Sequence, residues 1–216
     1  MPMVDRIRLL GGYLRRDTLV LRRLSRALGD NLLLTGVARE LKRLHPSTRL
    51  VVETTYPELF ENSPHVEWAV DARWVGLPGV CRPRYRIEPG ATCRHILDQL
   101  YQQCGLPEGR TECRPEVHFS RSELARFHDE FPSGGVLVCP AGKQRHAADR
   151  KEWGVERFQA VVDARQSWRW IQIGGADDPL LRGVEDRRGL GVRRMAGLMR
   201  QSLLFVGPEG GLMHVL

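Results

Sequence analysis

Leu203-Leu204-Phe205-Val206-Gly207-Pro208-Glu209-Gly210-Gly211-Leu212-Met213-His214 is the stretch on which the fold is decided. Four consecutive apolar residues predict a short buried strand, and Gly207-Pro208 ends it. An acidic residue and two glycines follow, and Leu212-Met213-His214 then reads as the first turn of a helix. Strand, glycine turn and helix start form the place where an open α/β sheet holds anions. Glycines let the backbone come close, and the first N–H groups of a helix carry a partial positive charge. Only two residues follow His214, so the helix that this turn opens is expected to be missing.

Working backward, Val136-Leu137-Val138-Cys139 and Trp170-Ile171-Gln172-Ile173 are further short apolar runs, and the second stops at Gly174-Gly175. Phe158, Val161 and Val162, then Met195, Leu198 and Met199, mark helices between the strands. Pro132-Ser133-Gly134-Gly135 breaks the chain ahead of this series, and the domain boundary is expected there. Upstream, Leu19-Val20-Leu21 and Leu50-Val51-Val52 predict two buried strands. Leu33, Val37, Leu41 and Leu44 between them repeat at helical spacing, after a turn at Gly29-Asp30-Asn31. Strand, helix and strand within so few residues make a βαβ unit and imply a parallel sheet.

A short helix over 56–62, a third strand over 66–70 and a loop over 74–89 come next. Helices over 95–104 and after a cap at Ser122 follow. The expected organisation is a basic lead-in over 1–17 and two α/β segments, 18–133 and 134–216. Such segments suggest two facing Rossmann-like domains.

Composition bounds the function. The chain has 216 residues, 42% of them hydrophobic and 27% charged, which describes a globular protein rather than a fibrous or membrane one. No apolar run reaches the length of a membrane span, and the N-terminus is too charged for a secretory signal, so a cytoplasmic protein is expected. The net charge of +7 is spread through every predicted element instead of forming one stripe with interleaved aromatics. That pattern speaks against nucleic acid as the partner. The five cysteines are odd in number and lack a C-x-x-C pair, so ordinary thiols are expected rather than a disulfide scaffold or a zinc set of Cys93, His95, Cys104 and Cys113.

Several residues at the predicted carboxyl edges carry chemistry. Asp30, just after the first strand, is placed to take a proton from an attacking hydroxyl, or merely to cap the helix; position alone favours the cap. Lys143 and Lys151, on the loop after Cys139, are candidates to neutralise a diphosphate. Gly174, Gly175 and Asp177 lie where a nucleotide's ribose or base would be touched. Glu209, Gly210 and Gly211 mark the anion-binding turn, and His214 either reaches a phosphate or lies on an ordinary helix face. The sequence contains no Asp-x-Asp for holding a metal against a sugar nucleotide. It also lacks a P-loop, G-x-G-x-x-G and a G-x-S-x-G elbow.

Taken in order, these stretches resemble glycosyltransferase family 9, the ADP-heptose:lipopolysaccharide heptosyltransferases and their relatives. The likeness is carried by Leu19-Val20-Leu21-Arg22 through Gly29-Asp30-Asn31, Pro64-His65-Val66, Lys151-Glu152-Trp153 with Arg157-Phe158, Ile171 to Gly175, and the stretch from Phe205 to His214. The resemblance implies a GT-B fold, two Rossmann-like domains with parallel sheets facing a cleft, the second domain incomplete. It implies inverting transfer of a heptose-like sugar, with no metal and no cofactor beyond the donor, an ADP-linked nucleotide-diphosphate sugar. The acceptor would be lipid-linked or a polysaccharide, with peripheral contact at the cytoplasmic face of the inner membrane and no nucleic acid. Asp30 matches the family's base, Lys151 its phosphate-stabilising lysine, and Gly210, Gly211 and His214 its diphosphate turn. The family's acidic residue followed by a hydroxyl residue is here Glu209-Gly210. The competing expectation is a catalytically silent remnant that binds only nucleotide or a partner.

Overall fold

The computed structural model describes residues 18–23, 25–71, 96–106, 114–142 and 152–215. The lead-in over 1–17, the loop over 74–89 and His95 lie outside the described residues, as do Cys81, Cys93, Cys113, Lys143 and Lys151. The chain divides into two compact units between His118 and Phe119. The Pro132–Gly135 break was the expected boundary, and the division falls ahead of it.

The first unit is built on three parallel strands, β1 (Thr18–Arg22), β2 (Arg49–Thr54) and β3 (Trp68–Asp71), in the order β1-β2-β3. Val20 pairs with Val51, and Val52 with Ala69. Val20, Val51 and Val70 cluster on one face with Trp68 beside them. Leu21, Leu50 and Val52 alternate to the other face and are equally shielded, as a parallel sheet covered on both sides requires.

Helix α1 (Leu28–Leu44) crosses between β1 and β2. Leu32, Leu34, Val37 and Leu41 are all buried on it, each leucine contributing about 1.5–3 kcal/mol of burial. The helix starts earlier than its leucine repeat implies, and Gly29-Asp30-Asn31 is its first turn, not a loop. Gly36 marks a close approach, because a Cβ there would stand 2.9 Å from the Arg114 carbonyl oxygen. A 3₁₀ turn (Pro57–Phe60) occupies the expected short helix, and α2 (Ile96–Gln103) buries Leu97, Leu100 and Tyr101. Cys104, after α2, is disulfide-bonded, so it is not the ordinary thiol expected.

The second unit begins with α3 (Arg121–Glu130), capped by Ser120 rather than Ser122. The Ser120 hydroxyl accepts from the Glu123 N–H at 3.2 Å, and the Glu123 carboxylate accepts from the Ser120 N–H at 2.9 Å. This reciprocal box satisfies two of the helix's orphan donors. Four parallel strands follow, β4 (Val136–Val138), β5 (Trp170–Gln172), β6 (Glu185–Asp186) and β7 (Leu204–Val206), in the order β6-β5-β4-β7. Helix α4 (Val155–Asp163) lays Phe158 and Val162 over Val136, Val138, Trp170 and Leu181.

Helix α5 (Val192–Gln201) buries Met195, Leu198 and Met199 and packs on α3, where Gly197 admits the Phe127 ring. Arg193 closes that contact with a two-pronged pair to Glu123 at 2.8 and 3.0 Å. These contacts explain why α3 belongs to the second unit.

β7 is not the buried strand its four apolar residues imply. It pairs only with β4 among the described residues, and Leu203 and Leu204 are 79% and 50% exposed. No helix among the described residues is long and apolar enough to cross a membrane.

Candidate functional site

At the carboxyl edge of the first sheet, Arg22 and Glu53 are register partners, and their side chains pair. Beyond them the loop 23–27 leads into α1. Asn31 fixes that loop and is fully buried. Its Nδ2 donates to the Ser25 carbonyl at 3.1 Å and to the Ala27 carbonyl at 2.7 Å, while its Oδ1 accepts from the Thr54 hydroxyl at 2.7 Å. The loop is thus tied to the end of β2.

Asp30 lies in the first helical turn, half-buried, and accepts a hydrogen bond from the Ser25 hydroxyl. The Ser25 oxygen in turn accepts from the Ala27 N–H at 2.9 Å, which locks the hydroxyl's position. Ala27 is the N-cap and makes no side-chain capping bond, so Asp30 does not serve as the cap. It sits where the first turn's N–H groups gather and an acidic side chain is favoured. Beside this edge, Nη1 of Arg23 is shielded from solvent with no hydrogen-bond partner. Sequence reasoning passed over Ser25, Thr54 and the positioning role of Asn31. The signal was a polar amide, Asn31, directly ahead of the apolar Leu32-Leu33-Leu34 run.

The second sheet brings the ends of β6, β5, β4 and β7 into one row. After β5, Gly174 turns at φ +135°, and a Cβ there would strike the Asp178 carboxylate. That carboxylate instead accepts from the Gly175 N–H at 2.7 Å, and the Asp178 N–H donates to the Gly175 carbonyl at 3.1 Å. Asp178 therefore holds the turn, and Asp177 is left exposed at its tip.

Arg188 donates to the Asp178 carbonyl and pairs with Asp186 at 2.8 Å. The side-chain and backbone hydrogen bonds from Arg188 to Asp186 hold the Asp186 carboxyl down at about 2. After β4, a Cβ on Gly142 would reach the Pro208 ring at 3.7 Å, so the loops that follow β4 and β7 are neighbours. Cys139 beneath them donates to the Ala141 carbonyl at 3.3 Å. Burial, reinforced by the Asp178 charge, pushes its thiol up to about 11, so it stays protonated and unsuited to attack or metal binding.

The anion turn differs from its expected form. Gly210 faces open space, with nothing within 4 Å of a Cβ placed there. Met213–Val215 form a single 3₁₀ turn, whose Val215 N–H donates to the Leu212 carbonyl at 3.0 Å. His214 Nε2 stands 3.9 Å from a Glu209 oxygen. One sheet edge thus gathers Gly174, Gly175, Asp177, Glu209, Gly210, Gly211 and His214. Asp30 belongs to the first unit, and Lys143 and Lys151 lie outside the described residues.

A second polar group lies at the opposite, amino edge of the first sheet. There Glu116 meets His65, His118 and Arg39. Burial works to raise the Glu116 carboxyl, but hydrogen bonds from His118 and Arg39 outweigh it and the net direction is down. Burial lowers the His65 imidazole against the pull of the Glu116 charge.

No protein-family model matches the chain, and no curated protein matches it in sequence. Solved structures do match in fold. ADP-heptose LPS heptosyltransferase II of E. coli superposes with a TM-score of 0.69 over 91% of this chain and 81% of its own, at 13% identity. A glycosyl transferase family 9 protein of Veillonella parvula gives 0.69 over 94% and 78%, at 14% identity. The E. coli heptosyltransferase WaaC, solved with ADP-2-deoxy-2-fluoro heptose, gives 0.61 over 92% and 84%, at 13% identity. The fold is that of the family 9 heptosyltransferases.

Proposed function

We propose that this chain is a glycosyltransferase that moves a heptose-like sugar from an ADP-linked donor to a hydroxyl of a lipopolysaccharide or other surface-glycan acceptor. The observation that carries the proposal is the placement of Asp30. It sits in the first turn after β1, oriented by Ser25 and free of the capping duty that its position suggested. The fold is shared with enzymes solved with ADP and with an ADP-heptose analogue.

In the proposed reaction Asp30 takes the proton of the acceptor hydroxyl as its oxygen attacks the anomeric carbon. The bond to the diphosphate oxygen breaks with its electron pair, and the nucleoside diphosphate departs from the opposite face. Configuration therefore inverts. Charge on the leaving group is met by Lys151, Lys143, the backbone of 210–211 and His214, without a metal on the donor. Gly174, Gly175 and Asp177 border the nucleotide. The enzyme works in the cytoplasm, against the inner face of the membrane that carries its acceptor.

One observation favours a second reading, a chain that binds nucleotide or a partner but does not turn over. The anion turn carries an exposed carboxylate, Glu209, 3.9 Å from His214. Thermal-shift titration with ADP, UDP, GDP and their sugar conjugates, paired with a donor-consumption assay, separates the two. Transfer predicts donor-dependent stabilisation that survives Asp30→Asn while turnover falls about 10²–10⁴-fold. Stabilisation without turnover in the unsubstituted chain would support the silent reading instead.

A further inference from the structure

Three ligand-type side chains converge at the amino edge of the first sheet, away from the edge that carries Asp30. His65 precedes β3, while Glu116 and His118 lie in the extended segment that leads out of the first unit. Their ligand atoms all lie within 4.8 Å of one another. Glu116 Oε1 stands 2.9 Å from His118 Nε2 and 3.1 Å from His65 Nε2. The two imidazoles meet edge-on, with centroids 5.8 Å apart and planes inclined at 70°. A tetrahedral zinc ion with bonds of about 2.0–2.1 Å would hold its ligand atoms roughly 3.3 Å apart. The two carboxylate–imidazole separations fall just short of that value.

The carboxylate is also held in place before any ion arrives. Its second oxygen, Oε2, accepts from Arg39 Nη1 at 2.9 Å, and the Glu116 N–H donates to the Thr35 hydroxyl at 2.8 Å. Thr35 donates onward to the Leu32 carbonyl at 2.7 Å, and Arg39 Nη1 also reaches the Arg114 carbonyl at 3.2 Å. Outer hydrogen bonds of this kind orient a metal-ligating carboxylate. The Arg39 charge opposes a cation, but Glu40 shares it at 3.5 Å.

We propose that His65, Glu116 and His118 bind a divalent transition-metal ion, zinc being the best chemical match to two imidazoles and one carboxylate. Three protein ligands leave a fourth position for water. The ion clasps the 114–118 segment to the turn before β3. Its role is to steady that junction, separate from the sugar-transfer chemistry, and it does not depend on the transferase reading.

The test uses the full chain stripped with a chelator and then titrated with zinc chloride and, in parallel, cobalt chloride. One equivalent of zinc binds per chain. Free zinc at a hundredfold excess over its dissociation constant raises Tm by about 5–10 °C. His65→Gln and His118→Gln each weaken zinc binding by about 100-fold or more, while far-UV circular dichroism confirms that both variants stay folded. Cobalt gives ligand-field bands without a thiolate charge-transfer band. Absence of saturable zinc binding overturns the proposal. So does binding unchanged in both variants, or a cobalt spectrum that reports cysteine ligands.

Discussion

Replacing Asn31 with alanine tests how the carboxyl edge of the first unit is held. The side chain is fully shielded and makes three hydrogen bonds, two to carbonyls of the loop 23–27 and one from Thr54. At about 1 kcal/mol net per bond, the loss is about 3 kcal/mol. For a chain of this size that corresponds to about 6–12 °C in Tm. Thr54→Val is the isosteric counterpart, and it also forfeits the bond from the Tyr56 N–H at 3.0 Å, for a cost of about 1–2 kcal/mol. Because the Thr54–Asn31 bond is common to both variants, their effects should fall short of additivity by about 1 kcal/mol. Urea unfolding of the wild type, both single variants and the double variant measures that coupling. Strict additivity, within about 0.3–0.5 kcal/mol, would mean the bond is not made and the account of this edge is wrong.

Three further outcomes follow from the second unit and the candidate base. The Arg193 pair depresses the Glu123 carboxyl from 4.5 to about 2. The resulting stability is fully present above pH 4.5 and is lost as pH falls toward 2. Allowing for solvent at its rim it amounts to about 1–2 kcal/mol, and Glu123→Gln should flatten the pH dependence of unfolding across that window. Gly197→Ala would place a Cβ 2.5 Å from the Phe127 ring, so the urea midpoint should drop by the equivalent of about 1–3 kcal/mol. Phe127→Leu in the same chain should recover part of that loss, and an unchanged midpoint in Gly197→Ala alone would deny the close packing of α3 on α5. Ser25→Ala, which removes the hydroxyl held against Asp30, should lower turnover with nucleotide binding intact, measured as kcat against donor KM.

What the sequence made legible was set by apolar period. Val20-Leu21, Leu50-Val51-Val52 and Trp170-Ile171-Gln172 are buried on both faces of parallel sheets, and such strands announce themselves as unbroken runs. The pair at 185–186 carries no such signal. Glu185 and Asp186 pair with β5 through their backbone alone, and their side chains point to Arg169, Arg187 and Arg188. The start of α1 was hidden for a related reason. Gly29-Asp30-Asn31 has the composition of a turn, and the bonds of Asn31 to Ser25, Ala27 and Thr54 help hold it helical. The cap at Ser120 was within reach, since Ser-x-x-Glu spans 120–123, but Ser122 lay closer to the apolar face. For the candidate site, the sheet edges were foreseeable from strand ends. Ser25 and Thr54 were not, because their roles exist only once β1, β2 and α1 are assembled.

The His65–Glu116–His118 set shows how such a site escapes linear reading yet leaves a trace. Glu116 and His118 are two apart in an extended segment, so both side chains fall on one face, but His65 lies in a distant turn and no spacing joins it to them. Helix α1 is what links this set to the candidate base at the other edge. Asp30 stands in its first turn, and Thr35 and Arg39 stand farther along it. At 1.5 Å per residue, the stretch from Asp30 to Arg39 covers about 13 Å, which is too far for an ion at the cluster to touch a substrate at the candidate base. The helix is rigid, with every residue from Asn31 to Leu41 buried. The proposed metal clasp at one end and the candidate base at the other are therefore separable in experiment. A chelator should lower the stability of the chain while leaving the chemistry at Asp30 unchanged in whatever fraction stays folded.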